Sequence, residues 1–141
     1  MSRVQLALDV VDLDAAIAFY GALFGATPAK VRPGYANFAI AEPPLKLVLL
    51  QGTEGGTLNH LGVEVDATAE VTDAASRLAA AGLATDQREG ETCCYATQDK
   101  VWVHDPDGAP WEIYTVLADA EQLAPDARDA VPVGTSARGC C

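Results

Sequence analysis

Two hexapeptides far apart in the chain share one pattern, Gln5-Leu6-Ala7-Leu8-Asp9-Val10 and His60-Leu61-Gly62-Val63-Glu64-Val65. In each, every second residue is a large aliphatic, which is the period of a strand with one apolar face. The intervening series places Gln5 and His60 at matching positions on the opposite face of their strands. Each strand runs into a helical pattern. Asp12 is placed to cap a helix that carries Ile17, Phe19, Tyr20, Leu23 and Phe24 and stops at Gly25; Thr68 is placed to cap one that carries Val71, Ala75, Leu78 and Ala79 before Gly82. Shorter apolar runs follow. In the first half they cover residues 36–40 and 45–50, separated by Glu42-Pro43-Pro44; in the second, residues 101–104 and 111–116, separated by the turn Asp105-Pro106-Asp107-Gly108. A glycine-rich link, Gly52-Thr53-Glu54-Gly55-Gly56, joins the halves. The self-similarity predicts the order β-α-β-β-β twice, an α+β domain over residues 1–117 with modules at 1–51 and 57–117. From Ala118 onward Ala, Asp and Pro dominate, so residues 118–141 read as an extension that is largely a flexible tail.

Composition narrows the partners. The chain has 141 residues, half of them hydrophobic, enough for one domain with a core. It shows neither an apolar run of about 20 residues nor a signal-peptide pattern, so a soluble cytoplasmic protein is expected, with no membrane partner. Twenty acidic against nine basic side chains give a net charge of -11, which repels nucleic acid and anionic lipid; small molecules and metals fit better. The four cysteines form two adjacent pairs, Cys93-Cys94 and Cys140-Cys141, unlike the spread spacing of a secreted disulfide framework, and reduced thiols are expected.

Adjacent Cα atoms lie about 3.8 Å apart, below the roughly 4.4 Å usual for bridged cysteines. The pair within Glu91-Thr92-Cys93-Cys94-Tyr95-Ala96 is therefore a better clamp for a soft, thiophilic ion such as trivalent arsenic than a disulfide. In a regular strand the two sulfurs would point to opposite faces, so joint binding requires a turn or loop. A lid starting at Gly90-Glu91 is the expectation. Elsewhere Gln5, His60 and Glu112 are polar residues in otherwise apolar strands, and an inward polar group needs a partner. An amide oxygen, an imidazole and a carboxylate form an N/O set for a divalent first-row metal, with positions left open for substrate. The first-half counterpart of Glu112 falls near Lys46, which is not a ligand. Tyr95, Phe38 and Trp102 are candidates for an apolar pocket wall, each equally suited to the core, and Lys100 and Arg32 are candidate cations beside the thiols. His104, before a turn, reads as a surface residue. Cys140 and Cys141 are either an arsenic shuttle or simply an exposed end.

Taken together, these residues resemble the vicinal oxygen chelate superfamily, which includes glyoxalases, extradiol dioxygenases and fosfomycin resistance proteins; the resemblance spans roughly residues 3 to 117. Within it the chain is most similar to organoarsenical carbon–arsenic lyases and cadmium-induced proteins. The similarity is carried by Lys30-Val31-Arg32-Pro33-Gly34-Tyr35-Ala36-Asn37-Phe38, Pro43-Pro44-Leu45-Lys46-Leu47, Asn59-His60-Leu61-Gly62-Val63, Thr92-Cys93-Cys94-Tyr95-Ala96 and Asp99-Lys100-Val101-Trp102-Val103. The resemblance implies two βαβββ modules in a curved sheet with a metal-binding cup. It implies ferrous iron, Fe(2+), on Gln5, His60 and Glu112, with other divalent metals able to occupy the site. It also implies that Cys93 and Cys94 hold a trivalent methyl- or aryl-arsenical, and that dioxygen is consumed as carbon–arsenic cleavage releases arsenite. A homodimer is common in the superfamily. Two other functions remain open on the residues: a dithiol protein that binds a metalloid or cadmium without catalysis, and a glyoxalase-like metal-dependent lyase or isomerase.

Overall fold

Alternation along the strands builds the molecule. The computed structural model describes residues 1–121 and residue 123. The order is β1 (Arg3–Val10), α1 (Leu13–Phe24), β2 (Lys30–Arg32), β3 (Tyr35–Ile40), β4 (Leu45–Gln51), β5 (Thr57–Glu64), α2 (Thr68–Ala80), β6 (Thr85–Cys93), β7 (Ala96–His104) and β8 (Pro110–Asp119). All eight strands form one curled mixed sheet, in the order β2-β3-β4-β1-β5-β8-β7-β6. Within each module the first strand pairs in parallel with the last, β1 with β4 and β5 with β8, and the modules join through antiparallel β1 and β5. This is the vicinal oxygen chelate fold.

One set of alternate residues goes under the helices. Ala36, Phe38 and Ile40 of β3 and Leu45, Leu47 and Leu49 of β4 are buried with Leu13, Ile17, Tyr20 and Phe24 of α1. Val71, Ala74 and Ala75 of α2 cover Val101 and Ile113. The other set, including Gln5, Tyr35, Asn37, Lys46, Val48 and Glu112, faces a cavity on the opposite side of the sheet. Phe38 therefore belongs to the core, not to a pocket wall. Phe19 and Leu23, expected on the apolar side of α1, are instead exposed.

Hydrophobic pattern alone does not locate β2 and β6. They are the two edges of the sheet, and β6 reads Thr-Asp-Gln-Arg-Glu-Gly-Glu-Thr-Cys because an edge strand tolerates and benefits from polar residues. Strand β7 likewise begins at Ala96, before its apolar run, and β8 extends to Asp119, beyond the expected domain end at 117. Cys140 and Cys141 lie outside the described residues.

Thr68 is the first residue of α2 rather than its cap. Ala67 holds the cap position, the Glu70 carboxylate accepts from the backbone N–H groups of Asp66 and Ala67, and the Thr68 hydroxyl donates to Asp99 Oδ2 at 2.6 Å. Asp99 also accepts from the Gly90 N–H at 2.8 Å, at the bulge where β6 shifts register against β7. One buried carboxylate thus ties α2 to the hairpin. Asp99→Ala leaves both donors without their acceptor, so urea unfolding should show a loss of about 1–3 kcal/mol.

Candidate metal and dithiol site

Register sets the first half of the site. Gln5 on β1 lies opposite Gly62 on β5, and Gly62 lies opposite Glu112 on β8. The middle residue of that row has no side chain. A Cβ there would stand 3.0 Å from Glu112 Cγ and 3.3 Å from Gln5 Nε2, so the glycine lets the outer two side chains meet. Gln5 Nε2 donates to Glu112 Oε1 at 2.8 Å. His60, two residues earlier on β5, brings its Nε2 to 3.2 Å from Gln5 Nε2 and 3.3 Å from Glu112 Oε1. Gln5, His60 and Glu112 are all buried. Neighbouring strands pair through space, so the chain's own pattern carried no signal for Gly62.

The tautomer of His60 follows from its neighbours. Asp9 Oδ1 accepts from Asn59 Nδ2 at 2.9 Å, which turns the Asn59 carbonyl oxygen to His60 Nδ1 at 2.7 Å. Nδ1 then carries the proton and Nε2 turns its lone pair toward Gln5 and Glu112. Among the described residues no three His, Cys, Asp or Glu side chains converge as a metal cluster. The candidate set has two of these types and depends on the Gln5 amide. Its chemistry fits a divalent cation once the amide oxygen faces inward.

Lys100 links this set to the cysteines. It is completely buried, its Nζ donating to Glu112 Oε2 at 2.9 Å and to Cys93 Sγ at 3.4 Å. Burial would push the Glu112 carboxyl up, but the adjacent Lys100 ammonium holds it down to about 2. Burial likewise opposes the charge on Lys100; Glu112 and Cys93 outweigh it and raise its pKa above the ordinary lysine range. Arg32, in contrast, is exposed and donates to the Val31 carbonyl.

Cys93 ends β6 and pairs with Ala96, leaving Cys94 and Tyr95 as a two-residue hairpin turn. Both turn residues are left-handed, with φ of 52° and 59°. Glycine or asparagine usually takes these positions, so the turn is strained and needs support. Support comes from several directions. Cys94 N–H donates to Leu123 O at 2.7 Å, Ala120 N–H and Lys30 Nζ reach Tyr95 O at 2.9 and 3.1 Å, and the Tyr95 hydroxyl donates to Pro33 O. The Tyr95 ring lies 5.4 Å from that of Tyr35. The expected lid is therefore a braced hairpin, and the start of the C-terminal extension is one of its braces. The Cys94 sulfur is in disulfide linkage, contrary to the expectation of reduced thiols, so joint use of both thiols requires its reduction.

Cys94, Gln5 and Glu112 line the same cavity, of about 260 Å³. Tyr35 rather than Phe38 forms its aromatic wall, and Trp102 sits edge-on to the His60 ring at 5.3 Å. The Tyr35 hydroxyl accepts from Asn37 Nδ2, which keeps its own proton available to the cavity. Burial, despite that hydrogen bond, pushes its pKa up to about 12, so it is a neutral donor. Lys46, the counterpart of Glu112, is paired at 2.9 Å with Glu64.

Sheet topology and the site row together define a class. Residues 3–113 match the family model of the Glyoxalase/Bleomycin resistance protein/Dioxygenase superfamily, and the chain belongs to it. It is 60% identical over 143 residues to the cadmium-induced protein CadI of Mycobacterium bovis, covering 100% of this chain and 93% of that protein. It is 63% identical over 126 residues to the trivalent organoarsenical cleaving enzyme of Thermomonospora curvata, covering 88% and 83%. The Mn(II)-bound glyoxalase from Novosphingobium aromaticivorans shares the fold, with a TM-score of 0.62 and 21% identity over 94% of this chain and 46% of that one.

Two outcomes follow for the metal-free protein. The folded Glu112 carboxyl, at about 2, lies below its ordinary 4.5, so its pairing stabilises the fold above pH 4.5 and that contribution fades as pH falls toward 2. Lys100→Met should cost about 3–5 kcal/mol in urea unfolding at neutral pH, with the gap to the parent narrowing below pH 4.5. Gly62→Ala crowds Glu112 and Gln5 apart. It should cost about 1–3 kcal/mol of stability and weaken divalent-metal binding measured by equilibrium dialysis.

Proposed function

We propose that the reduced protein cleaves the carbon–arsenic bond of trivalent methyl- or aryl-arsenicals, with dioxygen as co-substrate and ferrous iron as cofactor, to give arsenite and an oxygenated organic fragment. The observation that carries this reading is the shared cavity. Cys94 faces it together with Gln5 and Glu112, while Lys100 bridges Glu112 to the Cys93 sulfur. The names of the similar proteins, a trivalent organoarsenical cleaving enzyme among them, support the same substrate class.

The thiols capture the substrate by condensation. Two As–S bonds form to Cys93 and Cys94, two As–O bonds of the arsenical break, and two waters leave. The buried Lys100 ammonium donates to the Cys93 sulfur and fixes its position beside Glu112. A strained but braced hairpin holds the captured arsenic in place, which lowers the entropic part of the barrier. Gln5, His60 and Glu112 are the residues that would hold iron, and the same N/O set accepts other divalent metals. Ferrous iron held there would supply the redox chemistry that couples dioxygen to cleavage. The Tyr35 hydroxyl is placed to donate a proton within the cavity. A reducing cytoplasm suits this chemistry, since it would keep Cys94 as a thiol.

Reduced protein loaded with ferrous iron and given methylarsenite should release arsenite in air and none under argon, as followed by arsenic speciation. Glu112→Ala and the Cys93→Ser/Cys94→Ser double variant should each lose at least about 100-fold in rate. Equal turnover without oxygen sinks the dioxygenase reading. Stoichiometric retention of the arsenical with no arsenite released indicates a binding protein, and full activity of the double serine variant on an oxygen-rich substrate indicates a glyoxalase-like lyase.

A further inference from the structure

Behind the Gln5 amide lies a proton-counting conflict. The buried Tyr114 hydroxyl contacts two oxygens, Gln5 Oε1 and, at 3.1 Å, Glu64 Oε2. Glu64 is held as a carboxylate by Lys46 Nζ at 2.9 Å and Arg3 Nη2 at 2.9 Å. A phenol has one proton to give, and both neighbours in this arrangement only accept. One contact is therefore left without a hydrogen. At its other end the amide is satisfied, because its NH2 group faces Glu112 Oε1 at 2.8 Å and the lone pair of His60 Nε2 at 3.2 Å.

Half a turn about the last side-chain bond exchanges the amide's oxygen and nitrogen with almost no change of shape. The conflict at the outer end is then removed: one Gln5 N–H donates to the Tyr114 oxygen, and Tyr114 O–H donates to Glu64. The inner end becomes three acceptors, from Gln5, His60 and Glu112, an arrangement that a divalent cation settles. The two ends of one amide thus favour opposite orientations, and a metal decides between them.

We infer that Tyr114, aimed by Glu64, is a positioning residue that turns the oxygen of Gln5 toward the metal centre. This rests on the reading that Gln5, His60 and Glu112 hold a divalent metal. Lys46 supports the device twice, through its ion pair with Glu64 and by lying 4.9 Å from the centre of the Tyr114 ring. The sequence offers no hint of the role, because Tyr114 reads as one more apolar strand residue.

Binding of Co(2+) to the full metal-free chain, measured by chelator competition with no substrate present, tests the inference. Tyr114→Phe keeps the ring and removes the hydroxyl; it should weaken Co(2+) binding about 10–100-fold. In a Gln5→Ala background the same change should alter affinity less than about twofold, since there is no amide left to orient. Glu64→Gln, which leaves the hydroxyl in place but lets its partner donate, should weaken binding in the same direction and guards against a folding defect in the first variant. Unchanged affinity in Tyr114→Phe, or equal weakening in both backgrounds, overturns the positioning role. Equal Co(2+) affinity of the parent and Glu112→Ala instead overturns the metal centre itself, and the inference with it.

Discussion

The antiparallel register between β1 and β5 is the constraint on which the rest depends. It joins the two modules into one sheet and sets Gln5 beside Gly62, which in turn sits beside Glu112. A slip of one residue would turn Gln5 to the helix-covered face and Leu6 into the cavity. The alternation of core and cavity residues resists that slip, since Leu6, Leu8 and Val10 are packed against the cluster beneath α1. Hydrophobic burial on one face therefore guarantees polar convergence on the other. The absence of a side chain at Gly62 completes the arrangement by letting the outer two members of the row approach.

Charge organises the same space. Glu112, His60 and Lys100 are all but sealed from solvent, and an isolated charge there would be costly. Lys100 solves the problem for Glu112 while also donating to Cys93. A single ammonium thus couples a carboxylate suited to hard or borderline metals to a sulfur suited to soft ones. On the other side, Lys46 and Arg3 do the corresponding work for Glu64. These two ionic groups bracket the cavity, and Tyr114 connects them through Gln5.

Much of this was legible in the chain. The repeat paired Gln5 with His60, and the turn before β8 marked Glu112; the structure brings the three together. What the sequence hid was of two kinds. Polar edge strands such as β6 lack the apolar period by which strands are recognised, and the buried polar start of β7 is indistinguishable from a loop. Contacts across strands are hidden for a different reason: Gly62, Tyr114 and Tyr35 matter because of what lies beside them in space. Phe38 suited either the cavity wall or the core, and the alternating apolar series Ala36, Phe38 and Ile40 decides for the core. The brace on the thiol turn from residues 120 and 123 had no signal, because composition there suggested only a tail.

Gln5 and Glu112 are 107 positions apart and yet share a hydrogen bond. Contacts of such long range carry a large loop-closure entropy that must be met before they stabilise anything. A chain still being synthesised carries Gln5, His60, Cys93 and Cys94 before its last strand, and with it Glu112, exists. The row from Gln5 through Gly62 to Glu112 is therefore complete only once the final strand has locked in.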